Sequence, residues 1–127
     1  IHWNARNQGF KLEGTYWQKA NISRSCHSIQ EVEMYKDQYY YVTLSPIFDS
    51  ISKQGYKAAF SESDWKSAIE KGIINHQVIA LGGIDTSNIH QLATMGFGGA
   101  AVLGVIWNHT ELTSIRKELN LLMKFAN

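Results

Sequence analysis

Two short apolar runs, Val78-Ile79-Ala80-Leu81 and Ala100-Ala101-Val102-Leu103, are not interrupted by polar residues. Short unalternating runs suit strands buried on both faces, the pattern of a parallel sheet. Glycine follows each at once, as Gly82-Gly83 and as Gly104. The segment between them has a helical period. Asp85 is predicted as its cap, with Ile89, Leu92 and Ala93 facing inward and Gly96 just past its end. Upstream, Asn21 to Cys26 and the aromatic and β-branched run Tyr39 to Leu44 predict two more strands. Ser28 is placed to cap a helix carrying Ile29, Val32 and Met34-Tyr35, which Asp37 breaks. Ser61-Glu62-Ser63-Asp64 has the spacing of a capping box, followed by an apolar face of Trp65, Ala68, Ile69 and Ile73 and a stop at Gly72. Thr110 is the expected cap of a last helix with Leu112, Ile115, Leu119, Leu122 and Phe125 at spacings of three and four. Before all of these, Ile1-His2-Trp3 is a stub of strand, then a polar loop, then a helical turn over Gly14 to Ala20.

Consecutive strand–helix units with right-handed crossovers build either a doubly wound sheet or a (β/α)₈ barrel. Polar residues or glycine at every strand's carboxyl end favour the barrel, where those ends ring one mouth. A complete barrel needs roughly 200 residues or more, and this chain has 127 and only five strand candidates. The expectation is one α/β domain over 1–127 that forms part of a TIM barrel. A chain opening on Ile rather than Met is expected to be processed, truncated or excised.

Composition narrows the function classes. Apolar residues make up 44% and charged residues 18%, a globular balance. The net charge of +1 argues against nucleic acid or an acidic membrane as partner. No apolar run approaches the ~20 residues of a membrane span, and no secretion signal is recognisable. A single cysteine, Cys26, excludes an internal disulfide and fits a reducing compartment, so a cytoplasmic protein is expected.

The chemistry should lie at the strand ends. Glycine lets a ligand anion approach the main chain, so Gly82, Gly83, Leu103 and Gly104 are the expected anion site. Ser25 and His27 end one strand and Ser45 another. Ser50-Ile51-Ser52-Lys53 places two hydroxyls and an ammonium within reach of phosphate oxygens. A solvated polar loop is the commoner origin of such a cluster. His27 could shuttle protons near neutral pH or serve only to start the following helix. Cys26 alternates away from Ser25 and His27, toward the helix layer, and reads as a packed hydrophobe rather than a nucleophile.

Taken in order, several stretches resemble the thiamine phosphate synthase family and its relatives, the thiazole tautomerases. They are Ser25-Cys-His27-Ser-Ile-Gln-Glu-Val, then Tyr41-Val-Thr-Leu-Ser-Pro-Ile-Phe48 with Ser50-Ile-Ser-Lys53. Val78-Ile-Ala-Leu-Gly-Gly-Ile84 with Asn88 follows, and then Gly96-Phe-Gly-Gly-Ala-Ala-Val-Leu-Gly-Val-Ile106. The resemblance implies a (β/α)₈ barrel, this chain covering about its strands four to eight. It implies coupling of hydroxymethylpyrimidine diphosphate to thiazole phosphate, with loss of pyrophosphate and help from Mg²⁺. Ser50, Ser52, Lys53 and Ser25 would then meet the pyrophosphate, with His27 and Lys53 as the catalytic side chains. Gly82, Gly83, Leu103 and Gly104 would hold the thiazole phosphate. The family's metal-binding Asp falls at Asn7, a poorer Mg²⁺ ligand than a carboxylate. In the tautomerase branch the residue matching His27 is the acid/base and no metal is needed. A third reading is a phosphate-binding piece without turnover. In each case the partners expected are phosphorylated small molecules, together with a second copy of the chain or the missing part of the barrel.

Overall fold

The computed structural model describes residues 2–4, 6, 21–48 and 60–126. Among the described residues five strands form one parallel sheet in the order β1-β2-β3-β4-β5: His2–Trp3, Ser23–Cys26, Tyr41–Leu44, Val78–Leu81 and Gly99–Ala101. Spatial order equals chain order, so every crossover steps the same way. A doubly wound sheet reverses direction at a switch point, and a barrel wall does not.

Helices α1 (Ile29–Tyr35), α2 (Glu62–Glu70), α3 (Ile89–Thr94), α4 (Gly104–Trp107) and α5 (Leu112–Ala126) follow strands or one another. Ser28 caps α1 as expected, accepting from the Glu31 N–H. The box at Ser61 and Asp64 closes in both directions over α2. Gly72 and Gly96 take positive φ of 65° and 85°, which ends α2 and α3 without the steric penalty a side chain would meet.

Register decides what each sheet face carries. Cys26 lies beside Leu44, and Leu44 beside Ala80; Val42 lies beside Val78. All five are fully buried and meet Val32 of α1 and Ala68 of α2 in one core. Cys26 thus packs on the helix side, as its alternation predicted. The opposite face carries Ser23, Ser25 and Thr43 on β2 and β3, then the half-buried Ile79 and Leu81 on β4.

Several boundaries depart from expectation. Asn21 and Ile22 precede β2. Tyr39 and Tyr40 precede β3, because a 3₁₀ turn over Lys36–Gln38 closes on the Tyr39 N–H. Only Ala100 and Ala101 of the second apolar run lie in β5; Val102 and Leu103 leave the ladder, and Leu103 caps α4. Asp85 does not cap α3. Its carboxylate accepts from the Ser87 N–H at 2.8 Å in a local turn, which delays the helix to Ile89 with Asn88 as cap. Ala93 is exposed rather than inward. The Ile115 N–H donates to the Glu111 carbonyl, so α5 starts one residue later than a Thr110 cap would set it. On the anticipated apolar face of α5, Leu122 is buried while Leu112 is 70% exposed. The Phe125 side chain and the anticipated turn over 14–20 lie outside the described residues. Among the described residues no helix is long and apolar enough to cross a membrane.

Candidate functional site

The carboxyl ends of β4 and β5 make a cleft of about 780 Å³, lined in part by Gly82, Gly83, Leu103 and Gly104. Ser45-Pro46, joined by a cis peptide bond, follows β3. Beyond it, Ile47 and Phe48 donate their N–H groups to the Leu81 and Gly82 carbonyls. The chain therefore crosses directly over Gly82, where a Cβ would lie 3.1 Å from Pro46 Cα. Gly82 and Gly83 have φ of 98° and 65°, values a side chain strains to reach. The sole proline and the glycine pair are one device, linked through space.

Asn88 holds the next turn. Its Nδ2 donates to the Gly83 carbonyl at 2.8 Å, and its Oδ1 accepts from the Asp85 N–H at 2.9 Å. On the other wall Leu103 and Gly104 begin α4, and the first N–H groups of a helix have no partner within it. Among the described residues, no turn or loop backbone hydrogen bond uses the N–H of Gly82, Gly83, Leu103 or Gly104. The four expected residues are brought together at one cleft. Asp85 and Glu118 also line it, with the Asp85 carboxylate turned onto the Ser87 N–H.

His27 stands just past β2, exposed, with Nδ1 3.3 Å from the Ser45 carbonyl and 3.2 Å from Ser45 Oγ. Ser45 therefore holds Nδ1 through its carbonyl or its hydroxyl, and Nε2 faces away from that contact. The His27 N–H donates to the Glu31 carboxylate at 2.6 Å. Ser28 and Glu31 therefore brace His27 from the first turn of α1. Sequence reasoning identified the serine and passed over the glutamate, although the S-x-x-E spacing marks it.

Ser25 is not among the residues lining the glycine cleft; it lies on the sheet face opposite the buried core, next to Thr43 and His2. His2 was expected, with Asn4, among the polar strand-end residues around the mouth, whereas Thr43 was not anticipated as a functional residue. Neither carries a motif, and only strand register brings them together. Burial pushes the Cys26 thiol up to about 11, aided by the Glu31 carboxylate and opposed by Arg24, so it is a protonated core residue. Ser50, Ser52, Lys53 and Asn7 lie outside the described residues. Among the described residues no three His, Cys, Asp or Glu side chains converge to hold a cation. They do not by themselves fit a Mg²⁺ site.

Fold and cleft together define a parallel β/α protein whose ligands would enter at the carboxyl ends of its strands. Comparison with known proteins narrows that class. The family described as TMP-TENI, thiamine monophosphate synthase, matches residues 13–106. A thiamine-phosphate synthase of Latilactobacillus sakei is 29% identical over 116 residues, covering 84% of this chain and 50% of its own. The crystal structure of a thiamine phosphate pyrophosphorylase from Bacteroides thetaiotaomicron superposes with a TM-score of 0.80 at 32% identity. The match covers 99% of this chain and 60% of that one. A thiamine phosphate pyrophosphorylase from Pyrococcus furiosus shares the fold, with a TM-score of 0.68 at 18% identity over 98% of this chain and 57% of its own. The chain belongs to the thiamine monophosphate synthase family, and it spans about half the length of the curated relative it matches.

Proposed function

We propose that this chain is part of a thiamine phosphate synthase, supplying the last five strands of an eight-stranded barrel and the pocket for the thiazole phosphate. The carrying observation is that Gly82, Gly83, Leu103 and Gly104 line one cleft at the carboxyl ends of neighbouring parallel strands. Backbone N–H groups there would receive the phosphate and fix the thiazole ring. In the reaction the bond between the pyrimidine methylene and the pyrophosphate oxygen breaks, and the thiazole nitrogen forms the new bond to that carbon. Catalysis of this kind is positioning and neutralisation of the departing charge. Ser50, Ser52, Lys53 and Ser25 would meet the pyrophosphate. The carboxylates for Mg²⁺ would come from outside the described residues.

Calorimetry tests the cleft. Thiazole phosphate should bind this chain about tenfold or more tightly than the corresponding thiazole alcohol, a difference of at least ~1.4 kcal/mol. Equal affinity would sink the assignment. With both substrates and Mg²⁺, these 127 residues should show no turnover by themselves, whereas the longer parent should release pyrophosphate.

Thiazole tautomerisation is the second reading, favoured by the His27 geometry. With Nδ1 held by Ser45, Nε2 is free to move a proton on a bound thiazole carboxylate phosphate. Isomerisation by the parent that is lost in His27→Ala, without formation of thiamine phosphate, would select this branch.

A further inference from the structure

The sheet face opposite the buried core carries a polar cluster of which the proposed function uses only one member. His2 on β1 is in register with Ser23 on β2, and Ser25, two residues on, points to the same side. The imidazole bridges both hydroxyls: Nδ1 is 2.8 Å from Ser23 Oγ, and Nε2 is 2.8 Å from Ser25 Oγ. From β3, Thr43 Oγ1 donates to the same Ser25 oxygen across a long 3.5 Å. Ser23 and Thr43 are buried, Ser25 is half-buried and His2 is exposed.

A neutral imidazole has one donor and one acceptor nitrogen, so the two serines must play opposite parts. The buried Ser23 hydroxyl hydrogen needs an acceptor, and among the described residues its side-chain partner is Nδ1. Nε2 then carries the proton and donates to Ser25. Ser25 Oγ accepts from Nε2, Thr43 Oγ1 at 3.5 Å is too distant to bond it firmly, and the Ser25 hydrogen is left to donate.

We propose that His2 is a positioning residue that, through Ser25, presents one outward O–H donor on this face, so that the ligand atom Ser25 meets is a hydrogen-bond acceptor such as a phosphate oxygen. The identity of the ligand rests on the proposed synthase function, in which Ser25 contacts pyrophosphate; the tautomer of His2 does not.

The test uses the protein labelled with ¹⁵N-histidine. Two-bond ¹H–¹⁵N correlations should show Nδ1 of His2 as the proton-free nitrogen. Ser23→Ala, which removes the hydroxyl that fixes Nδ1 as the acceptor, should move the ring toward the averaged shifts of an unfixed tautomer. A proton on Nδ1 in the unmutated protein, or averaged shifts there, overturns the proposal. Titration with inorganic pyrophosphate forms the second arm. His2→Ala should weaken binding about tenfold, and His2→Gln, whose amide can still donate to Ser25, should recover most of it. Equal binding by the unmutated protein and His2→Ala, or no pyrophosphate binding by the unmutated protein, overturns the positioning of Ser25 for a phosphate oxygen. Thiazole phosphate affinity on the same samples reports separately on the glycine cleft, so the two failures are distinguishable.

Discussion

Gly82 joins backbone conformation to the cleft, because its positive φ and its contact with Pro46 exclude a side chain for separate reasons. Gly82→Ala should therefore destabilise the protein by about 1–3 kcal/mol, the range for overpacking and backbone strain. Denaturant unfolding would measure the loss, and the variant's thiazole phosphate affinity should fall with it. Cys26 makes a different kind of test. Its thiol is held protonated by burial, with a pKa raised from 9.0 to about 11. Between those values the unfolded chain has lost the proton that the folded chain keeps. Stability from this group is therefore full below pH 9 and declines as pH rises toward 11. The native thiol should ignore a disulfide reagent near pH 8 and react once the protein is unfolded. Reaction at the same rate in both states would contradict its placement in the core.

Among the elements, α2 has its start written in four residues, and the structure closes that box with hydrogen bonds of 2.9 and 3.2 Å. The Ser61 hydroxyl, donating to the Asp64 carboxylate at 2.6 Å, and then the Ser61 N–H hold that carboxyl below its usual range. Ser61→Ala should cost about 1 kcal/mol, read as a lower denaturation midpoint. Asp64 contributes above its unfolded value of 3.8, and the contribution is lost as pH falls through the lower folded value. The start of α3 differs from the expected cap because Asp85 bonds locally to Ser87 and Asn88, and the polar run Asp85-Thr86-Ser87-Asn88 offers more than one possible cap. The entry to β5 depends on Gly98. A Cβ there would fall 1.8 Å from the His76 carbonyl oxygen. That oxygen belongs to the backbone and cannot swing aside, so Gly98→Ala should cost several kcal/mol and loosen β5. An unchanged melting temperature would show that the β4–β5 approach is looser than described.

For the molecule as a whole, β1 and β5 each pair on one side only among the described residues. Trp107 and Leu103 are 71% and 67% exposed beside the cleft, and Leu112 is exposed on α5. Open strand edges and apolar side chains in water favour association. We propose that this chain, alone in solution, forms a dimer or larger assembly. Sedimentation equilibrium should give a mass at least twice 14.4 kDa; a monodisperse monomer with a cooperative melt would count against it. Addition of the remaining βα units of the parent should compete with that self-association.

Local chemistry alone determined the strand runs at Val78 and Tyr41, the caps at Ser28 and Ser61, the glycine stops and the glycine pair that marks the cleft. These depend on residues within a few positions of one another, so short-range sterics and hydrogen bonding decide them. The tertiary structure decided the rest. Pro46 lies over Gly82, Asn88 ties Gly83 to Asp85, and His2 reaches Ser23 and Ser25 from 21 and 23 positions away. Such pairs are set by strand register and crossover direction, which belong to the sheet and not to any one stretch of chain.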